Sequence, residues 1–163
     1  MSVFRDIVEV VLGIILAFII YSLLLKISFK ITLLFNVFLI TVIYFALKKG
    51  ELQGAFIGMI CGLIHDSFSI EVFGVAGISM TLMGYFSGYF PKKINVYPPL
   101  RMFVFIFLIS GINLSIWAAM YSFVFSENIY TGGGTIFFQP LATAVLGLIL
   151  IHTLIELKVL KKY

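Results

Sequence analysis

The carboxylate of Asp66 follows a run of apolar and small residues in the stretch "GAFIGMICGLIHDSFSIEVFGVAG" at positions 54–77, which also contains Glu71. A carboxylate in such surroundings could carry a proton or a cation, or fix a contact between helices. His65 precedes it directly, and Ser67 and Ser69 follow, so hydrogen-bond partners are close in sequence. We take Asp66 and His65 as candidate residues of an interface or an outward cavity. The alternative is a helix-end carboxylate that faces water or caps the next helix.

The patterns that catalysis would need are missing from the sequence. Acid–base chemistry requires paired carboxylates or a metal cluster, and Asp66 stands alone. The histidines, His65 and His152, are isolated from further metal ligands. No phosphate-binding loop that ends in Lys-Ser/Thr, no His-Glu-x-x-His pair and no Gly-x-Ser-x-Gly elbow is present. The expectation is a protein that is not an enzyme and holds neither a cofactor nor a metal.

The composition predicts an all-α, polytopic membrane protein. Of the 163 residues, 62% are hydrophobic and 11% are charged, and the mean hydropathy is +1.18. A soluble domain carries about 25% charged residues. A β-barrel is disfavoured because its strands would alternate polar and apolar residues. The net charge of +4 is too small and too dispersed for a nucleic-acid-binding protein.

Charged residues and turns divide the chain into six apolar stretches, each close to the roughly 20 residues that cross a bilayer. We expect a single integral membrane domain over residues 1–163. A tight re-entry near residues 27–29 separates the first two stretches. The predicted spans are 7–25, 31–47, 52–70, 73–90, 102–125 and 136–157.

The distribution of basic residues predicts that both termini face the cytoplasm. With six spans, the outer segments hold only Lys26 and Lys30, and all other basic residues fall in inner segments, which is a positive-inside bias. The inner basic residues are Arg5, Lys48, Lys49, Lys92, Lys93, Arg101, Lys158, Lys161 and Lys162. Glu9 lies one helical turn from Arg5, which predicts an ion pair between them at the interface.

Glycines recur at helical spacing in the third and fourth predicted spans. Residues four apart share one helix face, and small residues on that face let a second helix approach closely in lipid. The pattern predicts a tightly packed hairpin of these two spans, with Asp66 at its outer end. The proposed packing glycines are Gly54, Gly58 and Gly62 in the third span, and Gly77, Gly84 and Gly88 in the fourth.

Three further polar positions interrupt the other spans. Asn36, Asn113 and Gln139 lie in spans two, five and six. A single polar residue in a membrane helix more often forms an interhelical hydrogen bond than a ligand contact. Asn113 is nevertheless kept with Asp66 and His65 as a candidate cavity residue.

Residues 54–90 resemble the rod shape-determining protein MreD family of bacteria. The matching residues are Gly62-Leu63-Ile64-His65-Asp66, then Gly74, then "LMGYFSGYF" at 82–90. The length, the six short-looped spans and the basic ends are similar too. The resemblance implies a fold like that of the substrate-binding component of energy-coupling-factor transporters. It also implies a multi-pass, non-enzymatic subunit of the elongasome in the bacterial inner membrane, which supports peptidoglycan synthesis and cell shape.

The resemblance implies protein partners as well. Members of the MreD family partner the bitopic protein MreC. Through it they connect to the glycosyltransferase RodA with its transpeptidase, and indirectly to the actin-like filament MreB. The chain would then be a scaffold whose helices contact other helices within the lipid bilayer.

Two other functions stay open at this stage. The first is the substrate-binding component of an energy-coupling-factor vitamin transporter. Its pocket would be lined by Asp66, His65, Asn113 and the loop "SENIYTGGGT" at 126–135. The second is an ion-coupled carrier or channel that uses Asp66 as its proton or cation site. It ranks lower, because the inner halves of spans three and four offer almost no polar partners for a path.

Overall fold

The computed structural model describes residues 2–68, 74–124 and 134–156 of the chain. Within these ranges the backbone forms α-helices joined by turns and two short 3₁₀ segments, Phe90–Lys92 and Thr135–Phe138. The α-helices are α1 (Ser2–Ile27), α2 (Phe29–Leu34), α3 (Val37–Lys49), α4 (Glu51–Phe68), α5 (Val75–Tyr89), α6 (Pro99–Val124) and α7 (Gln139–Glu156). The predicted helical fold class is therefore confirmed for the described residues.

Four helical stretches in these ranges are long and apolar enough to cross a membrane. They are Phe4–Ile27, Phe29–Lys49, Pro99–Phe123 and Thr135–Leu154. Their length and composition support the prediction of a helical membrane protein. The other two predicted spans correspond to α4 and α5, which have 18 and 15 residues and do not belong to this set of four. The count of six spans therefore stays a prediction.

The second predicted span, 31–47, is not one continuous helix. It divides into α2 and α3, and Asn36 forms the N-cap of α3 by accepting a hydrogen bond from the Leu39 backbone N–H at 3.0 Å. Neither Pro nor Gly stands at the break, and Asn36, a residue type that often caps helices, is the one local signal there. The polar backbone at such a break needs partners when it is buried in an apolar protein.

Helix α7 supplies those partners. The Thr143 hydroxyl accepts a hydrogen bond from the Asn36 backbone N–H at 3.2 Å. The Gln139 side-chain amide donates to the Leu33 carbonyl at 3.0 Å. The interhelical hydrogen bond predicted for Gln139 is thus confirmed, whereas Asn36 bonds to α7 through its backbone.

Helix α3 is the centre of the bundle. One side of it packs with α1, α4 and α5, where Phe38 and Met80 are fully buried. The other side packs with α6 and α7, where Leu39 and Ile106 are fully buried. Because α3 carries apolar residues all round, it suits this interior position.

Ion pairs join the helices at one end of the bundle. Glu9 of α1 pairs with Lys48, and Asp6 of α1 pairs with Lys49 at 3.3 Å, both at the end of α3. The predicted pairing of Glu9 with Arg5 is wrong, because packing of α1 on α3 brings Lys48 against Glu9.

A third ion pair at this end joins Glu51, at the start of α4, to Lys92, just after α5. The hydrogen bond from Lys92 holds the pKa of Glu51 below its ordinary value. Lys26, in the last turn of α1, lies about 30 Å from Asp6 along the helix axis at 1.5 Å per residue. Lys26 therefore lies at the end of the bundle opposite these ion pairs, and the predicted orientation in the membrane stays a prediction.

Candidate functional site

The carboxylate of Asp66 caps the first turn of the following helix. Its Oδ2 accepts hydrogen bonds from the backbone N–H groups of Gly74 at 2.8 Å and Gly77 at 3.1 Å. Its Oδ1 accepts a hydrogen bond from Ala76 N–H at 3.2 Å. The first N–H groups of a helix have no partner within the helix, and the positive end of the helix dipole favours an anion there. Asp66 is 4% exposed, so these bonds lie in a buried environment.

Gly74 supplies the backbone conformation at the start of α5 that the Asp66 cap requires. Its backbone has φ 104°, in the left-handed region that favours glycine. No side-chain cap comes from Gly74 itself, and the acceptor comes instead from Asp66 on α4. The two ends of the hairpin are thereby tied together across the segment 69–73, which lies outside the described residues.

The glycine face of α4 lies directly against the backbone of α5. A Cβ placed on Gly54 would stand 2.5 Å from the Gly84 carbonyl oxygen. One on Gly62 would stand 2.5 Å from the Ala76 carbonyl oxygen and from the Gly77 Cα. Real Cβ atoms do not come this close to backbone, so these positions cannot hold even a methyl group without separating the helices.

The other proposed packing glycines follow the same arrangement, with one difference. Gly58 lies against the Met80 backbone, Gly84 against Gly54, and Gly88 against the Gly50–Glu51 backbone. A Cβ on Gly77 would meet the Leu63 side chain first, with the Cδ2 atom at 3.3 Å, and the Leu63 backbone N at 3.8 Å, which is an ordinary contact distance. A Cβ is therefore easier to accommodate at Gly77 than at the other five glycines, and the Gly77 N–H that bonds to Asp66 is a backbone group that any residue except proline would supply.

A cavity of about 310 Å³ lies beside the Asp66 end of the hairpin. Residues of α1, α2, α4, α5, α6 and α7 line it, together with the break before α3. Its polar lining residues are Thr32, Asn36, His65, Ser79, Asn113 and Gln139. Its aromatic lining residues include Tyr21, Phe29, Phe68 and Trp117. The wall thus combines rings with amide and hydroxyl groups.

The structure brings two of the three candidate cavity residues together. His65 and Asn113 both line the cavity, whereas Asp66 does not. The His65 Nδ1 atom lies 4.0 Å from Asp66 Oδ1, and its ring centroid lies 5.6 Å from that of Tyr21. Most of the candidate loop 126–135 falls outside the described residues.

The polar lining groups differ in how they are satisfied. The hydroxyls of Thr32 and Ser79 donate to backbone carbonyls of their own helices at 2.7 and 3.2 Å. Asn36 and Gln139 form the hydrogen bonds that stabilise the α2–α3 break. The Oδ1 atom of Asn113 has no hydrogen-bond partner among the described residues, although the residue is only 4% exposed. The interhelical bond predicted for Asn113 is therefore not made by this atom.

Sequence reasoning missed that Asn36, Gln139 and Trp117 belong to the same site. Each of these three residues stands in a largely apolar stretch. Helical periodicity relates residues within one helix, so it cannot connect helices that are far apart in sequence. The adjacent Gln139–Pro140 pair marks the start of α7, but it does not show what the glutamine meets.

Chemically, the site offers hydrogen bonding and ring packing. Within the described ranges no group of three or more His, Cys, Asp or Glu side chains is close enough to hold a metal ion. Asp66 already accepts hydrogen bonds from backbone N–H groups, which suits a structural anion.

No protein-family model, curated protein or solved structure matches the chain.

Proposed function

We propose that this chain is a non-enzymatic membrane subunit of the bacterial cell-elongation complex, which scaffolds MreC and the peptidoglycan synthase. In this proposal it resides in the inner membrane with six spans and both termini in the cytoplasm. MreC would connect the chain to RodA with its transpeptidase and, indirectly, to MreB. The proposal starts from the resemblance to the MreD family in residues 54–90.

The main support for the proposal is that the residues that resemble the MreD family together form one structural unit, the α4–α5 hairpin. Gly62 lets α4 touch α5, Asp66 caps α5, and Gly74 supplies the backbone conformation that the cap needs. These residues act together in one helix hairpin. A pattern that builds such a hairpin supports a structural role better than a catalytic one.

The outer surface of the bundle also supports a scaffold. In the most apolar part of Phe4–Ile27 only 11% of the residues are buried, compared with 61% in that of Phe29–Lys49. Exposed apolar side chains on α1 include Leu12, Leu16, Ile19 and Leu23. In a membrane such a helix contacts lipid or the helices of other proteins. The described connections between helices are short, so partner contacts would form mainly within the bilayer.

The test is affinity purification of the tagged chain in mild detergent, combined with depletion in the native bacterium. We expect MreC and the elongation synthase to co-purify, and depleted cells to lose their rod shape or change width. The matched variants are Asp66→Ala, which removes the α5 cap, and Ser67→Ala at the exposed neighbouring position. The first should reduce recovery of MreC and the second should not. Unchanged cell width together with absence of both partners would refute the proposal.

A second candidate function is the substrate-binding component of an energy-coupling-factor transporter. The cavity beside Asp66 favours it, because scaffolding alone does not require a polar, ring-lined cavity. The same purification distinguishes the two functions. A coupling transmembrane subunit with two ATPases, in place of MreC, would support the transporter.

A further inference from the structure

The cavity beside the α4–α5 hairpin has the size of a small-molecule site. Its volume of about 310 Å³ falls at the lower end of the range for such sites, roughly 300–1,000 Å³. These sites combine apolar and aromatic walls with a few polar groups that orient the ligand. A ligand of this cavity goes beyond the scaffold function and does not depend on it.

The composition of the wall selects against a charged ligand. No Lys, Arg, Asp or Glu is present among the described residues that line the cavity. The nearby Asp66 carboxylate is already held by three backbone N–H groups of the α5 start. An ion buried without a counter-charge is strongly destabilised. A ligand that fits the described part of this wall is therefore uncharged.

The aromatic side chains favour a flat ring. The ring centroid of Tyr21 lies 5.6 Å from that of His65 and 6.4 Å from that of Phe68, so these three rings lie close together. Phe29 of α2 and Trp117 of α6 add two further rings. Aromatic rings pack preferentially against other rings in stacked or edge-to-face arrangements at such distances.

Asn113 defines the polar contact that the ligand must make. The hydroxyls of Thr32 and Ser79 and the amide N–H of Gln139 are already used in bonds to backbone carbonyls. The Asn113 Oδ1 atom is a buried acceptor without a donor among the described residues. A buried acceptor that loses its bond to water is unfavourable unless a donor replaces it. An N–H or O–H group of a ligand would supply that donor.

We infer that the cavity binds an uncharged, planar, ring-containing molecule whose N–H or O–H group donates a hydrogen bond to Asn113 Oδ1. The rings of Tyr21, Phe68 and Trp117 pack on the faces and edges of the ligand. Asn113 fixes its orientation.

Trp117 provides a direct readout of binding. It is the only tryptophan of the chain and it lines the cavity, so quenching of tryptophan fluorescence reports on this site. The full-length chain is measured in lipid nanodiscs, which avoid detergent in the cavity. The probes are benzimidazole, benzoxazole and benzoate. Benzimidazole is flat and has an N–H donor, benzoxazole has the same shape with oxygen in place of that N–H, and benzoate is an anion of similar size.

The variants isolate the hydrogen bond. Asn113→Leu removes the acceptor and keeps the number and branching of the side-chain heavy atoms, and loss of an unpartnered polar group leaves the fold stable. Ser110→Ala is the control, because Ser110 lies one turn earlier on α6, is buried and unpartnered among the described residues, and does not line the cavity.

We expect saturable quenching by benzimidazole, with benzoxazole about tenfold weaker, as for the loss of one buried hydrogen bond. Benzoate should not compete. The preference for benzimidazole should disappear in Asn113→Leu and persist in Ser110→Ala. Equal binding of the two bicyclic probes to the wild type would overturn the role of Asn113. Absence of quenching by both, or tighter binding of benzoate, would overturn the ligand class.

Discussion

Asp66 Oδ2 accepts a hydrogen bond from the backbone N–H of Gly74 at 2.8 Å, although eight residues separate them. The bond joins the end of α4 to the residue that starts α5. It explains how the buried end of α4 can hold a carboxylate: backbone N–H groups and the dipole of the next helix satisfy the anion. The carboxylate is thus part of the hairpin rather than of the cavity wall.

Removal of this cap should destabilise the protein. Asp66→Ala leaves buried N–H groups of α5 without an acceptor, at a cost of about 1–3 kcal/mol. Asp66→Asn keeps one acceptor oxygen and should lose less. Thermal unfolding in detergent measures the difference, with Ser67→Ala as the exposed neighbour that should behave like wild type. An alanine variant as stable as wild type would show that the three hydrogen bonds contribute nothing.

A methyl group on the glycine face should separate α4 from α5. Gly58→Ala would place its Cβ against the Met80 backbone, which cannot move aside as a side chain can. Overpacking of this kind costs about 1–3 kcal/mol. Lower thermal stability and lower yield are expected.

The matched control for Gly58 is Gly111 on α6. A Cβ there would meet nothing within 4 Å, so Gly111→Ala should be neutral or stabilising, by up to about 1 kcal/mol, because alanine favours helix. If the two substitutions had equal effects, close approach of backbones would not explain the glycine pattern.

The ion pair between Glu51 and Lys92 should make stability depend weakly on acid pH. Lys92 lowers the pKa of Glu51 from its ordinary value of 4.5. The stabilisation is therefore present above the unfolded-state pKa and is lost as the pH falls through the lower, folded-state value. Unfolding temperatures measured across this acidic range should decline more in wild type than in Glu51→Gln. Identical pH profiles would mean that the pair has no net effect.

The proposed orientation predicts which side of the membrane each charged end occupies. Lys30→Cys should react with a membrane-impermeant maleimide in spheroplasts, and Lys93→Cys should react only after permeabilisation. The native Cys61 is fully buried and serves as the unlabelled background. Labelling of Lys93→Cys in intact spheroplasts would reverse the proposed orientation.

The sequence was informative where a local pattern determines the structure. The apolar stretches marked the helices, since 136–157 corresponds to Gln139–Glu156, and 102–125 to Pro99–Val124. Spacing by four put Gly54, Gly58 and Gly62 on one face, and in the structure this face contacts α5. In each case the relevant residues lie within a few helical turns of one another.

Features that depend on distant residues could not be predicted in this way. The break at Asn36 has no Pro or Gly, and its partners Thr143 and Gln139 follow more than a hundred residues later. The cavity likewise joins residues of six helices that are far apart in sequence. The pairing of Glu9 with Lys48 was missed because it requires the packing of α1 on α3, whereas Arg5 was the nearest cation in sequence.

The contact of α7 with the α2–α3 break has a consequence for biogenesis. Thr143 follows Asn36 by 107 residues, so the ribosome needs about 5–20 s to deliver it after the break has been synthesised. During that interval the break must find temporary hydrogen-bond partners, in water, at the lipid headgroups or within the insertion machinery. Chains whose translation stops before α7 would keep this defect. They would therefore be substrates for the membrane proteases that remove unfinished proteins.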